Sequence, residues 1–119
     1  MTAAQFRRIA LSFAGAEEHS HMNHPDFRVG TKIFATLGYP DTQHGMVKLP
    51  PEHQHEFTHN EPEAFACVNG AWGRQGATSV LLGAANEGSV KSALEIAWRN
   101  AGAKPAAKKK NRAAEAARR

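Results

Sequence analysis

His55-Glu56-Phe57-Thr58-His59 spells H-E-x-x-H. On a helix this spacing sets two imidazoles one turn apart for a shared zinc, with the glutamate placed as a general base. Pro62 stops any helix just beyond His59 and leaves no room for a downstream ligand. All seven histidines also crowd into residues 19–59, which makes a chance match easier. The motif therefore reads as a solvated helix face, where His53, His55 and His59 would pick up Zn or Ni adventitiously, and not as a metal-dependent hydrolase. His19, His21 and His24 form a second cluster in what reads as a loop. A physiological metal site needs a third or fourth ligand in tetrahedral geometry, which a loop does not hold. The expected role there is structural, with Asp26 or His24 tying the loop to backbone groups. The segment Asn69-Gly70-Ala71-Trp72-Gly73-Arg74-Gln75-Gly76 is glycine-rich but is not a Walker loop, because no Lys-Ser/Thr follows the last glycine. It reads as a loop joining two strands, with Trp72 plugging the end of the core. Cys67, the only cysteine, sits in Phe65-Ala66-Cys67-Val68 and reads as a small core residue. No Ser-His-Asp or Cys-His arrangement has a motif behind it, and Glu17-Glu18 reads as a solvated face. No catalytic residue, metal ligand or cofactor is assigned, and the expectation is a protein that is not an enzyme.

Charge points to a different chemistry. The formal net charge is +4, but residues 104–119 alone carry +6, and residues 1–103 carry −2. The basicity therefore belongs to a Lys/Ala-rich C-terminal tail, read from its composition as a disordered arm. Lys108, Lys109, Lys110 and Arg112 are its candidate phosphate contacts, of the kind that neutralise a nucleic-acid backbone without reading sequence. In the rest of the chain, Arg28, Lys32, Lys48 and Arg74 fall on strands or hairpin tips, and Trp72 is placed to stack on a base. Arg7-Arg8 is followed by only Ile9-Ala10-Leu11 before Ser12, too short for a signal-peptide core, and no apolar run is long enough to span a membrane. The expected location is the cytoplasm, with no membrane partner.

The elements that must position these residues follow from periodicity. Phe6, Ile9, Ala10 and Phe13 share one helical stripe, and Thr2…Gln5 has capping-box spacing. Phe27–Val29 and Lys32–Leu37 alternate as strands around Gly30-Thr31, with Ile33, Ala35 and Leu37 on one face and Phe34 and Thr36 on the other. Met46–Leu49 reads as a third strand, and Pro50-Pro51 opens a short helix to about Asn60. Ala66–Val68 and Thr78–Leu82 read as two more strands. Val90, Ala93, Leu94, Ala97, Trp98 and Ala101 line one face of a last helix, capped by Asn86 or Ser89 and closed by Gly102. The order α-β(3)-α-β(2)-α implies an α+β domain over residues 1–103, with helices packed on one side of an antiparallel sheet; residues 104–119 are the tail.

In this order and spacing, particular segments resemble the MmcQ/YjbR family of small bacterial proteins across roughly residues 4–101. They are Leu11–Glu18, His24-Pro25-Asp26-Phe27-Arg28-Val29, Lys32–Leu37, Met46–Leu49, Gly70–Gly76 and Ala97–Asn100. The resemblance implies a two-layer fold of the secretion-chaperone kind, and a DNA-binding role with hairpins as paired wings. Two departures stand out: Ala77 where relatives often have an aromatic, and Ser79-Val80-Leu81-Leu82 where many carry more cations. The resulting expectation is a non-enzymatic binding protein making weak, sequence-independent contact with DNA or RNA, chiefly through the tail. The alternative is a protein-interaction module, chaperone-like or dimerising, since its fold relatives among secretion chaperones bind peptide segments.

Overall fold

The computed structural model describes residues 1–102. The tail and its candidates Lys108, Lys109, Lys110 and Arg112 lie outside the described residues. Helix α1 (Ala3–Leu11) begins with the expected capping box: Gln5 N–H donates to Thr2 Oγ1 at 3.1 Å, and Thr2 N–H donates to Gln5 Oε1 at 2.8 Å. Six strands follow: β1 (Ala16–His21), β2 (His24–Val29), β3 (Lys32–Leu37), β4 (His44–Lys48), β5 (Phe65–Cys67) and β6 (Ala77–Leu81). They form one antiparallel sheet in the order β1-β2-β3-β4-β6-β5. Helix α2 (Pro51–Asn60) opens with Pro51 in its first turn, and a short helix α3 (Ala71–Arg74) interrupts the glycine-rich segment. Helix α4 (Glu87–Gly102) closes the described chain, with Asn86 Oδ1 accepting from Ser89 N–H at 2.8 Å. Among the described residues, no helix is long and apolar enough to cross a membrane.

The fold class is the expected α+β, with helices on one side of an antiparallel sheet. Phe6, Ile9 and Ala10 of α1 join Val90, Ala93, Leu94 and Ala97 of α4 over Phe27, Ala35, Val47 and Val80 of the sheet, and Phe57 of α2 packs at 4.9 Å against Phe65. Gly45 faces this core, where any Cβ would stand 2.9 Å from the Phe6 ring. Among the described residues, the opposite face carries no helix longer than α3.

Several local expectations are corrected. Residues 16–21 form a strand, so His19, His21 and His24 lie on a hairpin and not in a loop. Met22 and Asn23 turn it with φ of +51° and +67°, the conformation that two-residue hairpin turns use to match strand twist. β1 is a polar edge strand, exposed along most of its length, and has no apolar alternation to mark it in the sequence. In β3 the simple alternation fails. Phe27 pairs with Ala35 but Arg28 pairs with Ile33, so a bulge places Phe34 and Ala35 together opposite Phe27. Phe34 therefore enters the core, and Ile33 turns to the other face. α1 ends at Leu11, and Phe13 is held instead by stacking on Trp98, 5.4 Å between ring centroids at 22°. Gly102 is the last helical residue of α4, where an added Cβ would stand 2.9 Å from Val29 Cγ1. Cys67 is exposed, because β5 is a sheet edge and its outer side has no neighbour to cover it.

Candidate functional site

The register of β2, β3, β4 and β6 brings Asp26, Thr36, Met46 and Ser79 into one row across the open face, flanked by Ile33, Lys48 and Ala77. Above this floor lies a cavity of about 300 Å³. One wall is His21, Met22 and His24 of the β1–β2 hairpin. Tyr39 and, from the α3 segment, Trp72 and Gln75 complete the lining. Gly38, at φ +83°, turns the chain out of β3, and Tyr39 then meets Trp72 with ring centroids 5.6 Å apart and tilted by 57°. His24 meets Tyr39 in a T-shaped contact, with ring centroids 6.2 Å apart. Trp72 does not plug the core. It is 51 % exposed, because α3 folds back against Val68 and leaves the indole over the sheet. Ala77, where the family resemblance implies an aromatic, is one of the small residues that leave this space open.

Among the described residues, Lys48 is the only lining residue that carries a fixed charge, and no carboxylate lines the pocket. Asp26, in contact with the lining residue His21, is fully buried. Its Oδ1 accepts from Arg28 Nε at 2.7 Å, and its Oδ2 accepts from Arg28 Nη2 at 3.2 Å and lies 2.8 Å from His21 Nδ1. The hydrogen bond from Arg28 is the largest influence on this carboxyl. Together with the His21 contact it outweighs burial and holds the group below the ordinary carboxylate range. The same bond raises the Arg28 guanidinium. A depressed carboxyl stabilises the fold fully above its unfolded value of about 4, and that contribution is lost as pH falls through the lower folded value. Asp26→Asn should therefore flatten the acid limb of stability, read as urea midpoints below about pH 4. A wild-type-like fall of the midpoint with acid in that variant would refute the assignment.

The expected site residues divide into separate places. Lys48 and Trp72 meet at the pocket. Arg74 is exposed at the end of α3, and Lys32 is exposed at the β2–β3 turn. Arg28 is committed to Asp26 and leaves little of its guanidinium for phosphate. Asp26 is tied to side chains, not to the backbone groups expected from the sequence. His55 and His59 lie on exposed α2 with rings 5.8 Å apart, and among the described residues no cluster of three or more His, Cys, Asp or Glu side chains forms that could hold a metal. Sequence reasoning missed Tyr39, Met46, Gln75 and the His21–Asp26–Arg28 chain. The signal for the last was present, since Asp26 and Arg28 at i, i+2 of a strand must share a face.

Comparison with known proteins comes to rest on this architecture. A family model described as YjbR matches residues 11–100. The chain belongs to the YjbR family. A crystal structure of the Deinococcus radiodurans protein DR2400, which carries a DUF419 domain, superposes with a TM-score of 0.75 at 16 % identity. It covers 90 % of this chain and 83 % of that one. At that identity the likeness speaks for the fold alone, and it extends the YjbR architecture to both proteins. No curated protein matches the chain. The HPDFRV segment that suggested the YjbR family from sequence is the strand that holds Asp26 and Arg28 under the pocket.

Proposed function

We propose that this YjbR protein is a non-enzymatic binding protein whose open-face pocket takes one unpaired nucleotide unit, the base on Trp72 and the phosphate beside Lys48. The observation that carries this reading is the half-exposed Trp72 indole, braced by Tyr39, over the same cavity that holds Lys48 as its one fixed charge. A largely apolar cavity with a few polar groups is the usual form of a ligand site, and about 300 Å³ is at the small end of the roughly 300–1,000 Å³ range. That size suits one flat ring with a short polar extension. Stacking on an exposed aromatic is worth roughly 1–3 kcal/mol per base. The absence of a lining carboxylate removes the main repulsion against an anion, despite the slight negative charge of residues 1–103. Arg74 and the cations of residues 104–119 add contacts along a strand when the unit belongs to one.

Fluorescence anisotropy of labelled single strands of about eight nucleotides tests the reading. Trp72→Ala should weaken binding by roughly five- to hundredfold. Lys48→Ala should lower the log–log salt slope by about 0.7, the share of one phosphate contact in a single strand. A free mononucleotide competing as well as the strand, per unit, would place the ligand among small molecules. Strand binding that is much tighter and steeply salt-dependent would place it in nucleic acid. If neither strand nor mononucleotide binds at low salt, the reading falls, and protein partners become the better account of the pocket and of Met22, which is 83 % exposed at its rim.

A further inference from the structure

Asp26 is a carboxylate buried on what would otherwise be the solvent side of the sheet, and this position constrains His21. An ionised carboxylate can only accept hydrogen bonds. Arg28 engages both oxygens of Asp26, at 2.7 and 3.2 Å, so the carboxylate cannot swing away. The 2.8 Å contact to His21 Nδ1 must then be an N–H donated by the imidazole. In a neutral ring this leaves Nε2 as a bare acceptor, and His21 is one of the residues that line the pocket.

We propose that His21 Nε2 selects the ligand's hydrogen-bonding edge, so that the pocket prefers a base with a ring N–H, uracil or thymine, over cytosine, whose ring nitrogen is itself an acceptor. This inference rests on the nucleotide reading above. Uracil and cytosine share ring size and stacking area but differ in their pairing edge. A donor meeting Nε2 forms a hydrogen bond, whereas an acceptor meeting it sets two lone pairs against each other. Sites that hydrogen-bond a ligand group discriminate strongly against analogues that lack it, because a desolvated polar group is left unpaired. Asp26 and Arg28 act through His21 as positioning residues, holding the tautomer.

The test compares oligodeoxyuridine with oligodeoxycytidine binding to the full chain at pH 8. Wild type should favour the uridine strand roughly tenfold. His21→Asn keeps an amide N–H near the Nδ1 position for Asp26 and removes Nε2, so the ratio should fall to about one while the melting temperature changes little. A nitrogen NMR correlation of the wild-type imidazoles gives a second reading that needs no variant. His21 should show the Nδ1–H tautomer, and its Nε2 signal should move with the uridine strand and not with the cytidine strand. Equal affinity for both strands, an unchanged ratio in His21→Asn, or an Nε2–H tautomer would each overturn the inference while leaving the nucleotide reading intact. Failure of both strands to bind would bring down that reading and this one together.

Discussion

Arg28→Met is expected to destabilise the domain by roughly 3 kcal/mol at pH 7, measured by urea denaturation. The cause is the carboxylate it leaves behind. Asp26 has no exposed side-chain surface, and Arg28 supplies two of its three hydrogen bonds. Breaking a buried ion pair from one side typically costs about 3–5 kcal/mol. The lower end applies here because the Arg28 side chain is itself 28 % exposed. The dependence on pH separates this explanation from simple loss of packing. Without Arg28, burial pushes the Asp26 carboxyl upward, so it takes up its proton at a higher pH than in wild type. The deficit should accordingly be largest near neutrality and shrink as the solution is made acid. Asp26→Asn combined with Arg28→Met should cost less than the sum of the two single changes, since the charge that Arg28 compensates is then gone. Strict additivity, or a loss for Arg28→Met below about 0.5 kcal/mol, would mean that the pair is a surface contact of the ordinary kind.

The second large effect is steric. Gly73→Ala should cost roughly 3 kcal/mol or more, a fall in melting temperature of more than about 10 °C for a domain of this size. A Cβ at position 73 would stand 1.7 Å from the Val68 carbonyl oxygen, a backbone atom with no flexible end to yield. Relief requires lifting α3, and that movement breaks the buried hydrogen bond from Gln54 Nε2 to the Gly73 carbonyl at 2.9 Å. It also displaces Trp72, so ligand affinity should fall in the fraction that remains folded. Gly83→Ala is the control, with nothing within 4 Å of the added carbon and no positive φ. Its effect should stay within about 0.5 kcal/mol. Equal melting temperatures for the two variants would show that α3 is a loosely attached loop and not a seat for Trp72.

The two predictions concern segments that the sequence marks unequally, β2 clearly and α3 only faintly. Helices α1 and α4 were legible because their apolar stripes repeat at helical spacing and their caps are spelled out, Thr2 with Gln5 and Asn86 before α4; α2 was legible from Pro51 at its start, whereas α3 reads as a loop. The central strands β2, β3 and β4 were legible for the same kind of reason, since burial on one face imposes a period of two. β1 was not, because an edge strand exposed on both sides needs no apolar residues. Its pairing is decided by the Met22-Asn23 turn and by the partner strand. The faces of β3 were misjudged at Phe34 and Ile33, since a bulge arises from matching two strands to each other and leaves no trace in either alone.

The sequence by itself determined the class of fold, the family, and the placement of the excess positive charge in residues 104–119. These are properties of composition and local order, which need no third dimension. Only the tertiary structure decided that Trp72 faces outward, that Arg28 is spent on Asp26, and that His21, Tyr39, Lys48 and Trp72 surround one cavity. Those residues are spread over 52 positions of chain. They meet because sheet register, a bulge and the fold-back of α3 bring their strands and turns together, and none of these is encoded at a single position.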